Sequence, residues 1–163
     1  QSSTFRVSYQ LLDLDSEESP GHCLGVNDVL VSDDGSLVTA GRDSFIHAWK
    51  VSGNSSSIRC TLSHHSHWVN QLCMCSSTLL ASCSSDTTVK LWNTNLDKSN
   101  QNQAHLTTLE GHSDYVSRIS FNKNSNTLYS AGYDKKLFSW DLENPEFAVH
   151  SFLDKNSNET VED

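Results

Sequence analysis

Short apolar runs separated by clusters of turn-forming residues set the rhythm of this chain. Residues 26–32 (VNDVLVS) form the first run, and SDDGS follows at 32–36, where Gly35 is free to take a positive φ. Residues 37–41 (LVTAG), 45–51 (FIHAWKV) and 58–62 (IRCTL) are the next three. Runs of this length, rich in Val, Ile, Thr and aromatic residues and bounded by Gly, Asp, Asn and Ser, predict β-strands rather than helices. The same four-strand order is expected twice more, with outer strands at 105–109 and 147–152. Val89, Leu91 and Trp92 are nearly consecutive, so both faces of an inner strand carry bulk. A sheet half-exposed to water would alternate more cleanly; this pattern fits sheets stacked face to face.

The strands belong to an internal repeat. Three segments align: 21–50, 64–93 and 111–141. In each, a Trp lies six residues after an Asp: Asp43 and Trp49, Asp86 and Trp92, Asp134 and Trp140. A hydroxyl residue lies four before that Asp, at Thr39, Ser82 and Ser130. A His lies four before a Val that opens an apolar run: His22 and Val26, His65 and Val69, His112 and Val116. From Trp49 to Trp92 the period is 43 residues, and from Trp92 to Trp140 it is 48.

This pattern resembles the WD40 family, whose repeats run to roughly 40–45 residues with a Gly-His start and a Trp-Asp end. The match is literal at Gly111-His112 and Trp140-Asp141 and drifts at His64-His65, Trp49-Lys50 and Trp92-Asn93. The resemblance implies an all-β WD40 β-propeller: three four-stranded blades at about 21–62, 63–109 and 110–153, a leading strand at 5–12 and an acidic tail at 154–163. Propellers typically need about 4–8 blades. The expectation is therefore part of a seven- or eight-bladed ring, completed by the same longer chain or by a second copy. The resemblance also implies a hydrogen-bonded tetrad of His, hydroxyl, Asp and Trp in each blade: His22-Thr39-Asp43-Trp49, His65-Ser82-Asp86-Trp92 and His112-Ser130-Asp134-Trp140.

Charge narrows the choice of partner. The net charge is −9, and the 11 Lys and Arg are scattered singly apart from Lys135-Lys136. A nucleic-acid binder would show a basic face, so a protein partner is expected. No apolar run is long enough to span a membrane. The five cysteines, an odd number with no visible leader, suggest reduced thiols in the cytoplasm or nucleus. Polar stretches at 13–20, 52–57 and 97–103 read as mobile surface connections.

Catalysis is not expected. Ser, His and Asp recur in each repeat, which raises a hydrolase triad, but a set repeated with a Trp each time suits architecture, and no G-x-S-x-G elbow is present. No cofactor and no metal site are expected either. His64, His65 and His67 with Cys73 and Cys75 have poor spacing for zinc: the two cysteines are expected on opposite faces of their strand, and His65 is assigned to its tetrad.

In WD proteins the positions flanking the opening Val, and the one before the turn Asp, point to the face that most often binds partners. Here they are Gly25, Asn27 and Arg42, then Trp68, Asn70 and Ser85, then Tyr115, Ser117 and Tyr133, of which Arg42, Trp68, Asn70, Ser85, Tyr115 and Tyr133 are the partner-binding candidates. Trp, Tyr and Arg are the types enriched at interface hot spots. Finer wording, TAGRDS at 39–44, HHSHWVN at 64–70 and SSDTTVKLWN at 84–93, is similar to that of WD-repeat activators of ubiquitin-specific proteases. His22 and the insert at 97–103 depart from that group. This closer resemblance implies a scaffold that binds a deubiquitinating enzyme and raises its activity. The alternatives are a WD-repeat adaptor or substrate receptor in another complex and, from another class, a Ser/His/Asp hydrolase.

Overall fold

The computed structural model describes residues 21–32, 35–52, 55–95, 103–143 and 150–151. The expected leading strand, the acidic tail, the stretch 13–20 and most of 97–103 lie outside the described residues. Three antiparallel sheets of four strands follow one another along the chain. The first holds β1 (Val26–Val31), β2 (Leu37–Gly41), β3 (Ile46–Ser52) and β4 (Ser55–Leu62). The second holds β5 (Val69–Met74), β6 (Leu79–Ser84), β7 (Val89–Asn93) and β8 (His105–Leu109). The third holds β9 (Val116–Asn122), β10 (Thr127–Gly132), β11 (Leu137–Asp141) and β12 (His150–Ser151). Each is a meander in sequence order, the arrangement that short turns between consecutive strands dictate. Among the described residues no helix is long and apolar enough to cross a membrane.

The sheets pack face to face. Val38, Ile46, Cys60 and Leu62 of the first sheet meet Val69, Leu72, Leu80 and Trp92 of the second. The second sheet's other side, with Ala81, Cys83, Val89 and Leu91, meets Val116, Ile119, Leu128, Phe138 and Trp140 of the third. On β7, Leu91 therefore faces one neighbour and Trp92 the other. That accounts for the nearly continuous apolar run there, since a sheet covered on both sides has no polar face. The first strand shows the contrast: Val26, Val29 and Val31 are more than half exposed.

Two expectations need correction. The stretch 52–57 is not a surface connection throughout: β3 runs to Ser52, β4 starts at Ser55, and Ser52 pairs with Ser55. Cys73 and Cys75 do not point to opposite faces. Side chains alternate along a strand with a period of two, so residues i and i+2 share a face, and both cysteines lie against the same apolar cluster between the second and third sheets. Of the outer strand expected at 147–152, the described part is His150–Ser151, paired with Phe138 and Ser139.

Each inner strand carries a bulge just after its opening Val, where the register shifts between Val26 and Asp28, between Val69 and Gln71, and opposite Val116 and Arg118. The bulge frees side chains and backbone groups to link neighbouring sheets. Asn27 Nδ2 donates to the Val69 carbonyl at 2.9 Å, and Asn70 Nδ2 to the Val116 carbonyl at 2.8 Å. In return, the Leu72 N–H donates to Asp28 Oδ2 and the Ile119 N–H to Gln71 Oε1, each at 2.8 Å. The third sheet holds different groups at these positions. Ser117 turns its hydroxyl to the Ala131 carbonyl of its own sheet, and Arg118 donates to the Ser117 carbonyl.

Candidate functional site

The twelve residues named for the tetrads come together in three sets of the same geometry. In the first sheet, Trp49 Nε1 donates to Thr39 Oγ1 at 2.8 Å, His22 Nε2 lies 2.8 Å from the same oxygen, and His22 Nδ1 lies 2.9 and 3.0 Å from the two Asp43 oxygens. In the second, Trp92 Nε1 meets Ser82 Oγ at 2.8 Å, His65 Nε2 meets it at 2.8 Å, and His65 Nδ1 lies 2.7 Å from Asp86 Oδ2. In the third, Trp140 Nε1 meets Ser130 Oγ at 2.9 Å, His112 Nε2 meets it at 2.8 Å, and His112 Nδ1 lies 2.9 Å from Asp134 Oδ2. An indole can only donate. The hydroxyl therefore accepts from Trp, gives its proton to Nε2, and leaves the Nδ1 proton for the carboxylate. Gly41 and Gly132 make room for the bidentate contact, since a Cβ there would stand 2.2 Å and 2.6 Å from the imidazole Nδ1. Ser84 occupies the matching place in the second sheet, where the imidazole meets one carboxylate oxygen.

Each acid also ties down its surroundings. Asp43 accepts from the Cys23 and Phe45 amides, Asp86 from Ser66 and Thr88, and Asp134 from Ser113 and Lys136. Burial alone would push all three carboxyls up, but these bonds together with the histidines hold each below the ordinary carboxylate range. Burial also pushes His65 down, against the pull of Asp86. This arrangement is ill-suited to nucleophilic chemistry. The Ser82 and Ser130 side chains are fully buried, and each hydroxyl already accepts an indole proton. His22, Asp43 and His47 bring possible metal-ligand atoms within 4.8 Å of one another. Both nitrogens of His22 serve its tetrad, and His47 Nδ1 lies 2.9 Å from Thr61 Oγ1. His64 and His67 are used differently again, stacked on His105 and Tyr115 respectively.

The six partner-facing candidates line one concavity of about 420 Å³ that crosses all three sheets, joined there by Asn27, Ser117 and Arg118. A repeated backbone bond builds it. The N–H before each turn Asp donates to the carbonyl before each opening Val: Arg42 to Gly25, Ser85 to Trp68 and Tyr133 to Tyr115, at 2.8–2.9 Å. This clamps the Asp turn beside the loop that enters the inner strand. Rings then link one sheet to the next. The Arg42 guanidinium sits 5.0 Å over Trp68, His67 stacks on Tyr115 at 5.8 Å, and Tyr115 meets Tyr133 edge-on at 6.3 Å. Trp68, Tyr115 and Tyr133 remain 43%, 45% and 68% exposed, a large aromatic area left in water.

The profile of the WD domain, G-beta repeat, matches residues 16–50, 56–93 and 103–141. This chain belongs to the WD40 family. Its sheets are WD40 blades in an all-β fold. A crystal structure of the RRP9 WD40 repeats is similar, with a TM-score of 0.67 and 25% identity over 80% of this chain. The match spans 39% of the RRP9 chain. WD40 propellers in general serve as scaffolds for protein–protein contacts. Arg118 is the lining residue that position-matching within the WD40 repeat overlooks. Its counterparts Asp28 and Gln71 are occupied in holding the next blade, so nothing in their chemistry marks the position as surface.

Proposed function

We propose that this chain is a non-catalytic WD40 scaffold that grips a partner protein on the turn face, and that the partner is a ubiquitin-specific protease whose activity the contact raises. The concavity carries this reading: it gathers Arg42, Trp68, Tyr115 and Tyr133 in one place across three blades, and these are the side chains that dominate binding energy at interfaces. The wording at 39–44, 64–70 and 84–93 supports the protease as partner. Activation then follows from differential affinity: the scaffold binds the competent state of the enzyme more tightly and shifts its population. The three blades form part of a larger ring, because two of their outer faces need covering.

The test pairs the full-length protein with a ubiquitin-specific protease and measures ubiquitin cleavage. Trp68→Ala and Tyr133→Ala each lower the affinity of the activating complex on the order of tenfold or more, the cost of removing a hot spot, while circular dichroism shows the fold retained. Unchanged activation in the double variant would sink the turn-face reading. Loss of another captured protein without any effect on ubiquitin cleavage points instead to an adaptor role.

A further inference from the structure

The concavity has a charge of its own. Its charged lining residues are Arg42 and Arg118, an inversion in a chain whose net charge is −9. Neither guanidinium pairs with a carboxylate among the described residues, where the ion pairs are those of the three tetrads. Both are held in place without being neutralised. Arg42 Nε donates to Asn27 Oδ1 at 3.0 Å, which leaves its two terminal nitrogens on one edge. Arg118 Nη1 donates to the Ser117 carbonyl at 2.7 Å. Asp28, next to Asn27 on the first inner strand, spends one oxygen on the Leu72 amide and the other on the Val29 amide.

Three exposed aromatic rings would by themselves suit a cation. Here one face of Trp68 is already covered by Arg42 and one of Tyr115 by His67, and two guanidinium groups repel a third positive charge. A guanidinium edge matches a carboxylate by two parallel hydrogen bonds. An extended polyanion such as nucleic acid wants a basic stripe, and none continues from these two residues.

We propose that this concavity takes an acidic segment of the partner protein, with carboxylates on Arg42 and Arg118 and a neighbouring apolar or aromatic side chain against Trp68 and Tyr133. The proposal rests on the turn-face reading above and adds the chemistry of what is gripped.

Fluorescence anisotropy with the full chain tests it. The probes are three labelled peptides with the same phenylalanine spacing, carrying Glu and Asp, Gln and Asn, or Lys at the remaining positions, and a labelled single-stranded oligonucleotide. The acidic peptide binds about tenfold tighter than its amide twin and weakens as salt rises. Arg42→Gln or Arg118→Gln removes most of that advantage, weakening the acidic peptide far more than its amide twin. Both arginines are exposed, so neither substitution opens the core. Equal binding of the acidic and amide peptides, no binding of the acidic one, or tighter binding of the oligonucleotide lost in the same variants overturns the proposal. Trp68→Ala separates the two failures. If it abolishes charge-independent peptide binding, the turn face stands and the acidic preference falls. If it changes nothing, both fall.

Discussion

A buried hydroxyl such as that of Ser82 has to satisfy two rings at once, because an indole N–H and an imidazole nitrogen left without partners inside a blade each cost about 1–3 kcal/mol. No buried side-chain polar atom lacks a partner among the described residues, so the tetrads close completely. His47 is the residue that makes the first blade different. It stands 4.4 Å from His22, is 4% exposed, and its counterparts are Lys90 and Phe138. Burial and the neighbouring His22 push its imidazole down from 6.5 to about 4. The unfolded chain therefore takes up a proton that the folded blade refuses. Stability is full above pH 6.5 and falls as the pH drops from 6.5 towards about 4, with His65 acting in the same direction. His47→Phe, which copies the edge-on contact of Phe138 with His112 at 4.5 Å, is expected to flatten this decline. Thermal midpoints measured across that pH range check it, and an unchanged slope refutes the assignment.

At the scale of the element, the turn after each tetrad hydroxyl is the unit that repeats most faithfully. Ser44, Thr87 and Lys135, each directly after the Asp, all take positive φ, at 69°, 73° and 64°. The Asp side chain compensates by capping the amide two residues on, at 3.0–3.2 Å. Thr87 suffers most, because a β-branched side chain is strained in the left-handed region. Thr87→Gly should raise stability by about 1 kcal/mol, read from urea denaturation; a loss would show that the threonine side chain earns its strain in some contact. Strands such as β2, β6 and β8 were legible from the sequence because hydrophobic runs and turn residues agreed there. Ser55, Ser56 and Ser57 were not, since composition marks them as loop while backbone pairing with β3 makes them strand. Cys73 and Cys75 were misplaced for a plainer reason: strand alternation puts them on one side. The neighbouring Cys75 lowers Cys73 to about 7, while Cys73 and then burial push Cys75 up.

Across the whole molecule, stacking depends on a few polar joints as well as on apolar area. Gln71→Leu removes the acceptor for the Ile119 amide, which is buried, and is expected to cost about 1–3 kcal/mol. Gln71→Glu keeps an acceptor and should cost far less. Hydrogen exchange at Ile119 reports the joint directly: rapid exchange in the leucine variant alone supports it, and equal protection in both contradicts it. These joints were invisible in the sequence, because they depend on which residue of a bulge faces the next sheet. The tetrads, by contrast, were implied by the resemblance to the WD40 repeat, and the residues around the concavity, Arg118 apart, by their place in that repeat.

The joints also have a direction. Each of the first two blades offers an amide donor and an acceptor to its successor, whereas the third presents Ser117 and Arg118. A copy of the second repeat inserted behind itself would meet a complementary neighbour. A copy of the third behind itself would set guanidinium against amide, donor against donor. Lengthening such a protein by duplication is thus open at one seam and closed at another, and the history of its repeats is constrained by hydrogen-bond polarity as much as by shape.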